Sequence, residues 1–302
     1  MTTTIGQPDT EERRKKVRKY FKITPDAREE TRAIRVMWVG VVGLIGAATL
    51  LIAQQSLLAL LAAGVGAIAA LQGRIALSSY RRRYEAAEPK PSDVDMDRIL
   101  NQDLARVARR AMERLDVTAD ELELRSYEVD QWAQISGRRR LADQGRGPLV
   151  VFGPAERSRG RQGVDRVWRF AVYEVMVICP TGHHLAIYEC VLDFVTGRRR
   201  NEDTHEYHYP DVVAVTTKTR APEGFQLILP GGGTSDTAFR HTMTREFQII
   251  VSSGDRSSII VEIRDDDRPE QEFKLQESGI DRVIAAVRRM LREKKGGVAP
   301  TL

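Results

Sequence analysis

Five histidines, His183, His184, His205, His208 and His241, are the side chains best suited to hold a metal or move a proton near neutral pH. His205-Glu-Tyr-His208 invites a metal reading. On a strand, however, residues three apart point to opposite faces, so the two imidazoles cannot grip one ion without a bulge. The helical H-E-x-x-H arrangement is not matched either. His183-His184 falls at an expected hairpin turn, which predicts solvent exposure. Gly231-Gly-Gly233-Thr-Ser235 imitates a phosphate cradle, but a P-loop requires G-x-x-x-x-G-K-[ST] and no lysine follows here. Nucleophile elbow, kinase and dinucleotide signatures are missing from the sequence. Cys179 and Cys190 lie in apolar runs on either side of Thr181-Gly182. Pairing across that turn sets each opposite a different residue, so they read as buried thiols rather than a disulfide or a metal pair. The sequence thus predicts a non-enzymatic chain with no cofactor and no metal.

Its arginines are the remaining candidates. Arg157, Arg159, Arg161 and Arg166 occupy an expected glycine-containing loop at 153–166, where guanidinium groups can hold phosphate bidentately. Arg81, Arg82 and Arg83 follow directly on a long apolar stretch. Arg138-Arg-Arg140 and Arg198-Arg-Arg200 are further runs in expected loops, read either as solvated tips or as a lipid-facing patch. Nucleic acid is not the expected partner, because no stacking aromatics are interleaved with these runs. The net charge of +5 is concentrated beside the apolar stretch. There it suits membrane lipids of an anionic leaflet, at roughly 1 kcal/mol per basic residue.

The element that must position these groups is the stretch Val36–Gly73, which carries no charged side chain. Val36–Ala53 and Ser56–Gly73 each supply 18 residues, enough to cross a thin bilayer at 1.5 Å per residue, with Gln54-Gln55 as the turn. The stretch begins too late and runs too long for a secretory signal peptide. Basic residues flank it on both sides: Arg13, Arg14, Lys15, Lys16, Arg18, Lys19, Lys22, Arg32 and Arg35 before, Arg74 and Arg81–Arg83 after. The turn is uncharged, so the positive-inside rule predicts a two-span cell-membrane protein with both termini cytoplasmic. Gly40, Gly43 and Gly46 in the first span, and Ala62, Gly66 and Ala70 in the second, form small-residue rows suited to helix packing within the hairpin or between copies. Neither span contains an ionisable residue, which argues against a transporter.

The rest of the chain divides readily. Residues 1–33 are a basic cytosolic segment in which Val17, Tyr20 and Phe21 share a helical face, read as lying on the membrane or as solvated. Residues 34–77 form the hairpin. Residues 78–148 continue the second helix, break at Pro89-Lys-Pro91, and form a helix capped by Asp93 or Asp95 with Leu100, Leu104, Val107, Ala108, Ala111 and Leu115 on one face. From 149 to 295 short alternating runs predict an antiparallel β-meander, in which Ala186, Tyr188, Cys190, Leu192 and Phe194 face one way. An amphipathic helix, Ser278–Lys295, follows, and 296–302 is a tail. The fold class is α+β.

The segment Glu206–Val215, with Tyr207, Tyr209 and Asp211, and the closing helix resemble bacterial pleckstrin-homology-like (PH/GRAM-like) domains, which often sit beside two-helix anchors. The resemblance covers about 149–295 and implies a PH-like barrel or sheet. It also implies headgroup binding through the loop that carries Arg157, Arg159, Arg161 and Arg166. The family's basic motif is absent from that loop. The expected function is a membrane-anchored scaffold whose cytosolic domain binds a partner protein or anionic lipid headgroups. The alternative is a membrane-perturbing effector that oligomerises when its cytosolic domain meets a ligand or partner.

Overall fold

The computed structural model describes residues 7–52, 56–123, 147–221, 226–228, 234–235, 242–265, 274–276 and 280–295. The Gln54-Gln55 turn, Arg138–Arg140, Gly231–Gly233, His241 and the 296–302 tail lie outside them. Two compact units emerge. One is Lys22–Lys90; the other joins the N-terminal helix to everything from Pro91 onward.

The first unit is a helical hairpin of α2 (Ala27–Ile52) and α3 (Ser56–Ala87). Asp26 accepts a hydrogen bond from the Arg28 backbone at 2.9 Å, and Glu29 and Glu30 complement the positive end of α2. Buried positions are Ala33, Gly40 and Ala47 on α2, and Ala59, Gly66, Gly73, Tyr80 and Ala87 on α3. Both series recur every seven residues. Such spacing keeps one narrow stripe at the seam of two helices crossing at a shallow angle. At the open end, Thr24 donates to Glu88, and the Lys90 ammonium donates to the Lys22 carbonyl.

In the second unit a four-stranded antiparallel sheet has the order β1 (Leu149–Pro154), β4 (Val172–Pro180), β5 (His184–Asp193), β6 (Arg198–His208). A three-stranded antiparallel sheet follows: β11 (Arg256–Asp265), β10 (Thr242–Val251), β7 (Val212–Arg220). A small third sheet joins β2 (Arg159–Gln162) and β3 (Trp168–Phe170) to β8 (Gln226–Ile228) and β9 (Thr234–Ser235), with β2 and β8 parallel. Helices α1 (Gln7–Phe21), α4 (Asp93–Arg114) and α5 (Ile280–Lys294) complete the unit. Ser92, rather than Asp93 or Asp95, caps α4 by accepting from the Asp95 backbone; Asp93 and Asp95 lie in the first turn and favour the dipole instead.

The four-stranded sheet is covered on both faces. On one, Val175, Val177, Tyr188 and Cys190 meet Leu100, Leu104 and Val107 of α4 and Val17, Tyr20 and Phe21 of α1. The apolar face of α1 is therefore spent on a protein core and lies neither on a membrane nor in solvent. On the other face Ile178, Leu185 and Ile187 meet Phe247, Ile249 and Ile259 of the second sheet and Val283 and Val287 of α5. Double burial explains why β4 and β5 read as almost continuous apolar runs. Each large side chain so placed contributes about 1.5–3 kcal/mol. Near the sheet edge, a Cβ on Gly153 would collide with the Ile260 carbonyl, so glycine lets β1 and β11 cross closely. The two sheets nevertheless remain separate and do not close into a barrel.

Candidate functional site

In the hairpin, Gly40, Gly43, Gly66 and Ala70 meet at the helix seam: a Cβ on Gly43 would lie 3.2 Å from Gly66, and one on Gly66 would lie 2.9 Å from the Gly40 carbonyl. Gly40 faces the Ala70 and Gly66 backbones, and a Cβ on Gly43 would lie 3.9 Å from the Ala62 carbonyl. Gly46 has open space around it and takes no part in this seam. Gly73 was not in the expected rows, yet a Cβ there would lie only 2.5 Å from the Met37 backbone nitrogen, so its missing side chain makes room for Met37. Large apolar groups point away from the seam, among them Trp38 (59% exposed), Val65 (69%) and Leu57 (72%). Both helices are long and apolar enough to cross a membrane.

Of the expected basic groups, Arg81, Arg82 and Arg83 are exposed on successive positions of α3, so they fan out around the helix rather than converge. Arg83 is held by Glu29 at 2.6 Å. Arg159 and Arg161 lie on strand β2 instead of in a loop. Arg161 is committed inward: it donates to the Tyr20 carbonyl at 2.8 Å and stacks over the Tyr20 ring. Arg157 and Arg166 are exposed at turn positions with left-handed backbone, φ 58° and 62°. Arg198–Arg200 also belong to a strand, β6, where Arg199 meets Glu202 and Arg200 meets Asp193.

Two buried arginines that stand in no recognisable sequence motif organise the second unit. Arg169, only 1% exposed, donates to Asp97 through two bonds of 2.8 Å and to Asp165 through bonds of 3.0 and 2.7 Å, and lies 3.5 Å from Asp93. Tyr20 donates to Asp93 at 2.9 Å, which brings α1 into the same network. Burial opposes the charge on Arg169, but its bonds to Asp165 and Asp97 outweigh that and push its pKa up. The same bond holds the Asp165 carboxyl below its ordinary range. The second arginine, Arg14, is locked onto Asp103 by bonds of 2.7 and 2.6 Å and donates to the Phe194 carbonyl. Gly197, at φ +71°, leaves the room that the Arg14 guanidinium fills. Apart from Asp165, four residues before Arg169, these partners lie 72 or more positions away in sequence, so no local motif marks the networks. Their one local trace is a charge centred in the apolar triplet Trp168-Arg-Phe170.

A third polar group faces the interior between the sheets. Glu174 and Glu189 are diagonal neighbours across β4 and β5. Burial, then the negative charges of Glu156 and Glu246, push Glu174 up to about 7 against the pull of Arg220. Burial and Asp203, with Glu174 adding to them and Ser257 opposing, push Glu189 up to about 7 as well. His205 lies 3.8 Å from Glu189. It is half-buried and stacked on Tyr207, while His208 is exposed on the opposite side of β6, and His183 is exposed at the turn. Cys179 pairs with Ala186 and Cys190 with Val175; both thiols are free, and burial pushes them up to about 12 and about 11. Among the described residues no three metal-ligating side chains gather.

No family model, curated protein or solved structure matches this chain.

Proposed function

We propose that this is an integral membrane protein of two spans, with both termini cytoplasmic, whose α+β unit binds anionic lipid headgroups or a partner protein and catalyses no reaction. The observation that carries the reading is the burial pattern of α2 and α3. A core helix of a water-soluble protein turns its large apolar side chains inward; these helices bury alanines and glycines and expose valine, leucine, isoleucine and tryptophan. That inversion suits a hydrocarbon surround, where close backbone approach rather than apolar burial holds helices together. The basic collar of Arg28, Arg32, Arg35, Arg74 and Arg81–Arg83 at the open end supports a cytoplasmic placement for both chain ends.

The second unit supports a PH-like reading through its layout: a four-stranded meander, a three-stranded meander and a closing helix, with β2 and β3 inserted between the first two long strands. The reading takes binding over catalysis, and what supports it is that Arg169 is committed to three aspartates and both thiols are buried. The anchor is favoured over the membrane-perturbing effector because Gly40, Gly43, Gly66 and Gly73 are already used inside one hairpin. Tethering a weak binding domain to the leaflet raises its effective concentration to the millimolar range. Carbonate extraction and protease protection of sealed vesicles test the anchor. Retention in the carbonate pellet, with both ends cleaved from the cytoplasmic side, is expected; release into the supernatant overturns it. Sedimentation with vesicles containing 30–40% phosphatidylglycerol, compared with phosphatidylcholine alone, tests the headgroup arm.

A further inference from the structure

Where the hairpin emerges from its apolar stretch, α2 and α3 part around a crevice of about 470 Å³. Ala33, Val36, Gly73 and Ala76 form its floor, with Gln72, Ser79 and Tyr80 also lining it. Its rim carries Glu29, Arg32 and Arg83. Arg83 is closed against Glu29 at 2.6 Å. Arg32 is exposed and makes no ion pair or hydrogen bond among the described residues, so its guanidinium is open to a ligand. With the pair cancelling, the crevice has a surplus of one positive charge over an apolar floor.

Position gives this arrangement its meaning. The uncharged stretch stops at Val36 on α2 and Gly73 on α3, and both belong to the crevice floor. From Val36 to Glu29 the helix climbs about 10 Å. The polar layer over each side of a bilayer is about 5–8 Å deep. The crevice therefore opens from the hydrocarbon boundary through the layer where phosphates reside. Its volume falls in the range of sites that hold small molecules, about 300–1,000 Å³. Small residues on the floor keep it open, and a larger side chain at position 76 would fill it.

We infer that the crevice at the mouth of the hairpin seats the phosphate of an anionic glycerophospholipid, with Arg32 taking the phosphate and Ala33, Val36, Gly73 and Ala76 taking the glycerol end of the chains. Arg83 keeps Glu29 occupied, so that the carboxylate does not quench Arg32. The inference rests on the membrane reading above and adds a specific lipid site to it. It differs from headgroup capture by the α+β unit, because every residue belongs to the hairpin.

Native mass spectrometry of the full chain released from nanodiscs of mixed phosphatidylglycerol and phosphatidylcholine decides the matter. The expected result is one retained phosphatidylglycerol per chain, lost at least tenfold in R32Q and in A76F but kept in R256Q. Arg256 is exposed on β11, so R256Q serves as the control for total charge. Equal retention in R32Q and wild type overturns the inference while leaving the anchor intact. Failure of the chain to incorporate into nanodiscs overturns the membrane reading itself, and the lipid seat with it. Displacement of the lipid by millimolar inorganic phosphate assigns the crevice to free phosphate and overturns the lipid assignment.

Discussion

Replacing Glu189 with glutamine, E189Q, should stabilise the α+β unit at pH 8 and leave it unchanged at pH 4.5. An ordinary glutamate titrates near 4.5, whereas burial and the neighbouring Asp203 and Glu174 raise Glu189 to about 7. At 1.36 kcal/mol per pH unit, an isolated group with that shift would cost about 3 kcal/mol once ionised. Glu189 keeps 24% of its side chain exposed and shares its shift with Glu174, which reduces the expected gain to about 1–2 kcal/mol. The direction follows from proton binding. The folded state holds the proton more tightly than the unfolded chain, so stability falls as pH rises from about 4.5 to about 7. The penalty is complete above that window and absent below it, and a neutral glutamine never incurs it. Urea unfolding of the full chain in detergent micelles, followed by the emission of buried Trp168 with Trp38 and Trp132 replaced by phenylalanine, measures the difference at each pH. A constant gap between E189Q and the parent from pH 4.5 to 8 would refute the reasoning, as would a destabilised E189Q at pH 8.

R169M should cost about 3–5 kcal/mol in the same assay, because it leaves Asp93, Asp97 and Asp165 facing one another without their cation; a loss under 1 kcal/mol would show that water screens the cluster. In the hairpin, G73L should disrupt helix pairing while G46L leaves it unchanged, read as SDS-induced loss of helix–helix proximity by energy transfer; equal behaviour of the two variants would contradict the seam. The amides of Val17–Phe21 should be protected from hydrogen exchange as strongly as those of α4, with or without lipid, since α1 is part of the core. Protection of α1 only when vesicles are present would return it to the membrane surface.

Much of the architecture was legible before any coordinates. The uncharged stretch Val36–Gly73, the basic flanks, the helical face Leu100–Leu115, the alternation along 186–194 and the closing helix are all short-range patterns. Periodicity reports which face of an element is apolar, and that depends only on neighbours within two turns or a few strand residues. The small rows identified Gly40, Gly43, Gly66 and Ala70, but could not exclude Gly46 or find Gly73. Which side of a helix meets its partner depends on crossing angle and register, and neither is written in one helix alone.

The partner of each apolar face was likewise beyond reach. Val17, Tyr20 and Phe21 fit a membrane, water or a core equally well as a pattern; only the arrangement of α1 on the four-stranded sheet assigns them to protein. Arg161 and Arg198–Arg200 read as loop cations until strand pairing placed them on β2 and β6. The Arg169 and Arg14 networks, the Glu174–Glu189 pair and the crevice beside Arg32 belong to tertiary structure altogether. Each depends on groups brought together from distant points of the chain, where burial decides how strongly their charges act on one another. Local residue patterns were enough to say which segments are apolar and which faces they hide. The folded chain decided what lies against those faces.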